Sequence, residues 1–380
     1  MSREELGRVS MPVAAESAAA GSAGPASASA APAFSFVMPV YNAATSVGAS
    51  IESVLGQTED DLELICVDDG STDGTARALA DYAARDPRVR VISQANAGPS
   101  AARNAGLDAA RGAIICTLDA DDALVPTYCA RLRAVFEGSG AEVVVFGASC
   151  EPEDAASARI RGLLSPAATT YEPREHFDPA LLFRANAQPY AWRAAMTRGL
   201  EEREHVRFPE AVHLGEDVAF LFTLYPVARR VELIPDKLYR YRMVEGSITH
   251  GLDALDALER KVGEHLAAFD AILAAWRVRG LGALCPAEMV TWCLDLTVFD
   301  LVRLERPAAA RAAERLAGLL AGTYGPAWCE CPRSAAVRSV ARAVAEAAAA
   351  GAPLELGKLG VMRFFLATRG LKACVERLLR

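Results

Sequence analysis

Five short apolar runs, each followed by a stretch with helical spacing, organise the first part of this chain. Phe34–Val40, Leu62–Val67, Val89–Ser93, Ala113–Leu118 and Glu142–Phe146 have the β-branched and aliphatic content of buried strands. Val47, Ile51, Val54 and Leu55 recur at helical spacing behind Thr45 or Ser46 as cap. Thr72 or Asp73 can cap a second helix reaching about Arg85, Gly98-Pro99-Ser100 opens a third running to about Ala110, and a fourth lies near 126–137. Such alternation predicts an α/β domain, a mostly parallel sheet with helices on both faces. Ligands of these sheets lie beyond the carboxyl ends of the strands. Two of the strands end in acid there, at Asp68-Asp69 and at Asp119-Ala-Asp121-Asp122, so both clusters should face one crevice.

Crowded acid at the end of a core strand needs a physical reason. Two carboxylates about 5 Å apart repel by roughly 3 kcal/mol at an effective dielectric of ~20. Asp119 and Asp121 can share one side of a turn, where hard oxygen ligands suit Mg²⁺ or Mn²⁺ held together with substrate phosphates. The same residues equally suit a solvated turn that caps the next helix. Asp68-Asp69 either accept hydrogen bonds from a nucleobase or ribose or belong to an Asp-Gly turn with a Ser/Thr cap. The order Asp68-Asp69-Gly-Ser-Thr lacks the second carboxylate of the DxDGT found in haloacid-dehalogenase-like phosphatases.

The totals bound the remaining choices. With 380 residues there is chain enough for about two domains with real cores. A net charge of -8 argues against nucleic acid as a partner. Nine cysteines, several inside apolar runs, read as reduced thiols of a cytoplasmic protein, and the lone Cys329-Glu-Cys331 pair is weak evidence for zinc. There is no apolar run of transmembrane length. Residues 1–33, rich in Ala, Ser, Gly and Pro, read as a disordered tail and not a signal peptide. Residues 151–175 read as loop, 177–250 as mixed short elements, and 251–380 as helical.

An ordered set of motifs adds a family resemblance. Val37-Met-Pro-Val-Tyr-Asn42, Ser53-Val-Leu-Gly-Gln-Thr58, Val67-Asp-Asp-Gly-Ser-Thr-Asp-Gly-Thr75, Asn96-Ala-Gly-Pro-Ser-Ala-Ala-Arg-Asn-Ala-Gly106 and Leu118-Asp-Ala-Asp-Asp122 resemble glycosyltransferase family 2. His213-Leu-Gly-Glu-Asp217, Leu238-Tyr-Arg-Tyr-Arg242 and Gly246-Ser-Ile-Thr249 resemble its later blocks. The likeness covers about 34–250, and each motif is confirmed by the strand context of the others. It implies a GT-A fold over 34–250, with a nucleotide-binding half at 34–150 and an acceptor half at 151–250, and inverting transfer from a nucleotide sugar, a UDP-sugar first. By position it implies that Pro39, Val40, Tyr41, Asn42 and Asp69 frame the nucleotide, with Asp69 on the base. Arg103 would lie near the base or diphosphate, and Asp119 near the ribose or metal. Asp121 would be the main ligand of Mn²⁺ or Mg²⁺, and Asp217 the general base, with Glu216 as runner-up. Without the resemblance, Glu216-Asp217 would read as a helix N-cap pair.

Other residues keep two readings each. Tyr190 and Trp192 stack on an acceptor sugar or fill the core. His250 donates to the diphosphate, ligates the metal, or is a surface or core residue, and His213 has a weaker claim. Arg240 and Arg242 face phosphate or alternate along a half-buried strand. From Lys358 onward six cations, Lys358, Arg363, Arg369, Lys372, Arg377 and Arg380, stand against one acid, Glu376, among apolar residues. That stretch either lies on the inner face of an anionic membrane, which suits a lipid-linked glycan acceptor, or packs on the domain or a partner. Two alternatives to transfer remain: a nucleotidyltransferase, which needs a Gly-rich basic loop absent after the first strand, and a lapsed nucleotide-sugar-binding scaffold.

Overall fold

The computed structural model describes residues 31–243 and 255–378. The strand–helix units begin with β1 (Phe34–Val40), α1 (Val47–Leu55), β2 (Leu62–Asp68), α2 (Thr75–Arg85), β3 (Val89–Ser93), α3 (Pro99–Ala109) and β4 (Ile114–Thr117). Next come β5 (Ala123–Leu124), α4 (Tyr128–Ser139), β6 (Val143–Glu151), α5 (Ala158–Leu163), β7 (Thr169–Tyr171) and α6 (Ala180–Phe183). Then follow β8 (Ala194–Thr197), α7 (Arg198–Glu204), α8 (Glu216–Val227) and β9 (Val231–Arg242). The C-terminal part is helical: α9 (Leu255–Val278), α10 (Pro286–Leu301), α11 (Arg306–Tyr324), α12 (Ala335–Ala350) and α13 (Lys358–Leu378).

The strands form one sheet in the order β3-β2-β1-β4-β8-β6-β9-β5, with β7 added on β9. Its first four strands are parallel, as the alternation predicts. Beyond β4 the sheet is mixed: β8 is antiparallel to both β4 and β6, whereas β6 and β9 are parallel. The fifth predicted strand is therefore separated from the fourth by Ala194-Ala-Met-Thr197, which is too short and alanine-rich to announce a strand. The loop read over 151–175 also contains structure, α5 and β7.

Side chains alternate across the sheet. Phe34, Phe36, Met38 and Val40 enter a core with Val47, Ile51, Val54, Tyr128 and Leu132, while Val37 faces the other core. On that other face α3 lies so close to β1 that a Cβ on Gly106 would stand 2.2 Å from Val37 Cγ1. α8 is buried all round, from Ala219 to Val227, and shares its core with Trp276 of α9, Leu294 of α10, Leu316 of α11 and Val340 of α12. The division expected near residue 250 thus separates stretches of chain that share a core.

Several caps differ from expectation. Ser46 and Gly74 occupy the N-cap positions of α1 and α2, and neither caps through a side chain. Asp73 instead accepts the Thr75 and Ala44 N–H groups, tying α2 to the loop after β1. Pro32 and Ala33, counted in the expected tail, are tied to the sheet, their carbonyls accepting bonds from the Ala113 and Ile114 N–H groups; residues 1–30 lie outside the described residues.

At the amino ends of the strands, Glu63 is a buried anion on β2. It accepts from Ser35 Oγ of β1 at 2.7 Å, from Arg90 of β3 at 2.8 Å, and from the Arg111 N–H and guanidinium at 2.8 and 2.7 Å. Burial alone would push its carboxyl up, but the Arg111, Ser35 and Arg90 bonds together bring it down to about 2. A carboxyl lowered on folding stabilises the protein above its unfolded pKa of 4.5 and loses that contribution as pH falls through about 2. Glu63→Gln should therefore lower the unfolding free energy at neutral pH by on the order of 3 kcal/mol. The gap to the wild type should close between about pH 4.5 and 2, measured by urea unfolding across pH.

Candidate active site

The parallel register delivers the acid clusters to one edge: Val40 pairs with Asp68, and Val37 with Thr117, one residue before Leu118-Asp119. A cleft of about 590 Å³ opens there. Pro39, Val40, Tyr41, Asn42, Asp69, Arg103, Asp119, Asp121 and Glu216 all line it, so most of the sequence-predicted site residues are brought together. Asp217 stands beside this wall and is not among the lining residues. His250 lies outside the described residues. His213 is exposed, with its N–H on Glu264.

Asp69 forms part of the floor and is already heavily bonded. Its Oδ1 accepts from Gln94 Nε2 at 2.8 Å and Ala97 N at 2.9 Å, and its Oδ2 from Gly98 N at 2.8 Å. It therefore fixes the loop that starts α3. Asn42, at a left-handed φ of 49°, accepts from Thr72 N at 2.8 Å and locks the loops after β1 and β2 together. Tyr41 leaves its ring 52% exposed at the cleft, a free aromatic face.

Arg103 is the electrostatic centre. Carried by α3 and nearly fully buried, its guanidinium lies 3.0 Å from Asp119, 3.3 Å from Glu216 and 3.5 Å from Asp217. Burial opposes its charge, but the fields of Asp119, Asp217 and Glu216 hold it firmly protonated, above its ordinary value. Gly215, at φ 91°, occupies the N-cap of α8, so Glu216 and Asp217 are first-turn residues and do not form the N-cap pair. Their charges meet the positive end of the helix dipole. Asp217 Oδ2 accepts the Ala191 N–H at 3.2 Å, and its buried Oδ1 has no hydrogen-bond donor. Burial raises the Asp217 carboxyl to about 7, with Glu216 and Asp119 pushing the same way and Arg103 opposing.

The second acid cluster divides its labour. Asp119 has Arg103 as counter-ion. Asp121 points to the exposed side of the cleft, makes no ion pair among the described residues, and is raised by burial and then by the Asp119 charge. Asp122 is buried and faces away. It accepts from Tyr239 Oη at 2.8 Å and from Arg242 N at 2.7 Å, while the Tyr239 oxygen accepts the Asp119 N–H at 3.2 Å. This chain of bonds clamps the acidic turn to β9, and sequence spacing carried no sign of it.

Trp192 is core and not an open acceptor platform, because Tyr239 stacks on it at 3.9 Å and Tyr190 at 5.0 Å. Arg240 and Arg242 alternate with Tyr239 and Tyr241 along β9 and approach Glu151 at 3.7 and 3.8 Å, as a half-buried strand would place them. Sequence reading also missed Arg193. It is fully buried and donates to the carbonyls of Phe146 at 3.0 Å and Leu163 at 2.6 Å. That brace holds the turn whose Ala191 N–H meets Asp217. The described residues contain no cluster of three or more metal-ligating side chains, the Cys329–Cys331 pair included. Replacing Arg103 with Gln removes the shared cation from three carboxylates. Urea unfolding at neutral pH should show a loss of about 3–5 kcal/mol, as when one partner of a buried ion pair is deleted.

Comparison with known proteins bears on the family and the fold. The pattern described as Glycosyl transferase family 2 matches residues 35–179. The chain is 35% identical over 221 residues to the putative glycosyltransferase EpsH of Bacillus subtilis, covering 57% of this chain but only 62% of EpsH. It is 31% identical to the uncharacterised glycosyltransferase EpsJ of the same organism, covering 67% of this chain and 73% of EpsJ. It is 33% identical to the succinoglycan biosynthesis protein ExoO of Rhizobium meliloti, covering 65% and 69% of the two chains. Among solved structures, residues 1–349 of TarS from S. aureus, in complex with UDP-GlcNAc, superpose with a TM-score of 0.61 at 16% identity, covering 84% of this chain and 88% of that one. The fold is that of TarS, and the chain belongs to glycosyltransferase family 2.

Proposed function

We propose that the protein transfers a sugar, with inversion, from a nucleotide sugar to a hydroxyl of a glycan or lipid-linked acceptor. The observation that carries this reading is the meeting of Asp119, Asp121 and Glu216 in one cleft that the nucleotide-framing residues also line, with Asp217 beside its wall. TarS binds UDP and UDP-GlcNAc on the same fold, which makes a UDP-sugar the first donor to test.

In this reading Pro39, Val40 and Tyr41 form the wall against which the nucleoside lies, with the Tyr41 ring free to stack. Asp69 has three of its roughly four acceptor positions occupied, leaving one for a base N–H. Asp121 and the second oxygen of Asp119 fit a Mn²⁺ or Mg²⁺ ion: two carboxylates with no third protein ligand is the donor set such ions use when phosphate oxygens complete their shell. When bound, that ion would neutralise charge developing on the diphosphate as the sugar bond breaks.

Asp217 is the proposed general base. It takes the proton of the incoming hydroxyl at Oδ1, which makes no hydrogen bond and has Arg103 Nη1 at 3.5 Å, while the Ala191 N–H fixes Oδ2. Its carboxyl at about 7 suits proton exchange near neutrality. Arg103 and the start of α8 hold the resulting pair of acids in place. Glu216 has the specific observation in its favour that it lines the cleft and Asp217 does not.

Single substitutions separate these roles. Asp217→Asn should keep donor binding and lose transfer by about 10²–10⁴-fold. In the wild type, transfer should fall as pH drops below about 7, because the base must be deprotonated, and this limb should be absent from the residual rate of Asp217→Asn. Full activity in Asp217→Asn with loss in Glu216→Gln would move the base to Glu216. Loss in neither would refute the assignment. Asp121→Ala should abolish the dependence of donor binding on divalent cation.

A further inference from the structure

The C-terminal helix α13 carries two different faces, and only one is used by the fold. Phe364 is fully buried, and Val361, Phe365 and Thr368 are half-buried against the body. Thr368 and Arg369 both bond Asp295 of α10, at 2.7 and 2.8 Å. The opposite stripe holds Leu359, Met362 and Leu366, exposed by 54%, 51% and 36%, at helical spacing i, i+3, i+7. They are three of the five large hydrophobic residues exposed among the described residues. Arg363 lies on the same stripe and Lys358 at its start, both exposed and without an acidic partner among the described residues. The regular helix ends at Gly370, at φ 76°.

We propose that this outward face of α13 seats the protein on an anionic lipid surface, whatever sugar the cleft transfers. Charge complementarity selects this occupant. On this face Lys358 and Arg363 have no acid beside them among the described residues, in a chain of net charge -8 whose segment from residue 358 onward holds six cations, one of them paired with Asp295, against one acid. Exposed leucine and methionine between cations is the arrangement of an interfacial helix, whose apolar side chains enter the acyl boundary while the cations meet lipid phosphates. A soluble polyanion would use the cations and leave the apolar stripe without a role. A second copy of the chain would bring two cationic stripes together. Three partly exposed side chains also fall well short of the roughly 800 Å² per partner that a stable dimer buries. No described helix is long and apolar enough to cross a membrane, so the contact is peripheral.

The test is flotation of the full chain with vesicles of phosphatidylcholine alone or mixed with phosphatidylglycerol, at low and high salt. The wild type should float with the anionic vesicles and lose binding at high salt. Lys358→Gln with Arg363→Gln should weaken partitioning about 30-fold, and Leu359→Glu with Leu366→Glu by more than about 100-fold. These side chains are exposed, so thermal melting should match the wild type, which excludes misfolding as the cause. Equal binding to neutral and anionic vesicles would overturn the proposal. So would partitioning unchanged in both variants, retention on immobilised heparin without flotation, or a dimer that the glutamate variant dissolves.

Discussion

One buried guanidinium holds the candidate site together. Arg103 leaves α3, which belongs to the parallel half of the sheet, and reaches Asp119 at the end of β4 and Glu216 and Asp217 at the start of α8. Three carboxylates within reach of one cation leave a surplus of negative charge in a poorly solvated place. Burial raises Asp217 to about 7 and Asp121 above its ordinary value, and the neighbouring carboxylates push both the same way. In the proposed reaction a diphosphate and a divalent ion would lie on one side of the sugar and a hydroxyl proton on the other. Arg103 lies between the two sets of acids that would serve those tasks.

The rest of the fold keeps that cluster rigid. α8 is apolar all round because it is buried between the sheet and α9, so its first turn is held in place. The Asp122–Tyr239–Asp119 chain fixes the acidic turn to β9, and Arg193 fixes the turn that presents Ala191 to Asp217. Each is a polar contact between segments more than 20 residues apart. Buried polar bonds of this sort specify one arrangement where hydrophobic packing would tolerate several.

That distance in sequence also explains what could be read in advance. The strands β1 to β4 announce themselves because a doubly covered parallel strand is apolar throughout, and the acids at their ends follow from the same periodicity. β8 is invisible because four residues, three of them Ala or Thr, hold no period. Asp119, Asp121 and Glu216 reach the cleft as expected, but nothing local distinguishes Asp122, which turns inward, from its neighbour Asp121, which does not. Trp192 shows the converse: the aromatic pair with Tyr190 is legible, yet only the partner rings on β9 show that it is core.

In the proposed reaction the cleft binds a nucleotide sugar through a cation held by the acidic turn. Titration calorimetry of the full chain with UDP-, GDP- and dTDP-sugars, with and without Mn²⁺, tests it most directly. One nucleotide class should bind saturably, and only with the cation present. Binding of none of them, or binding equally tight without any divalent ion, would contradict it.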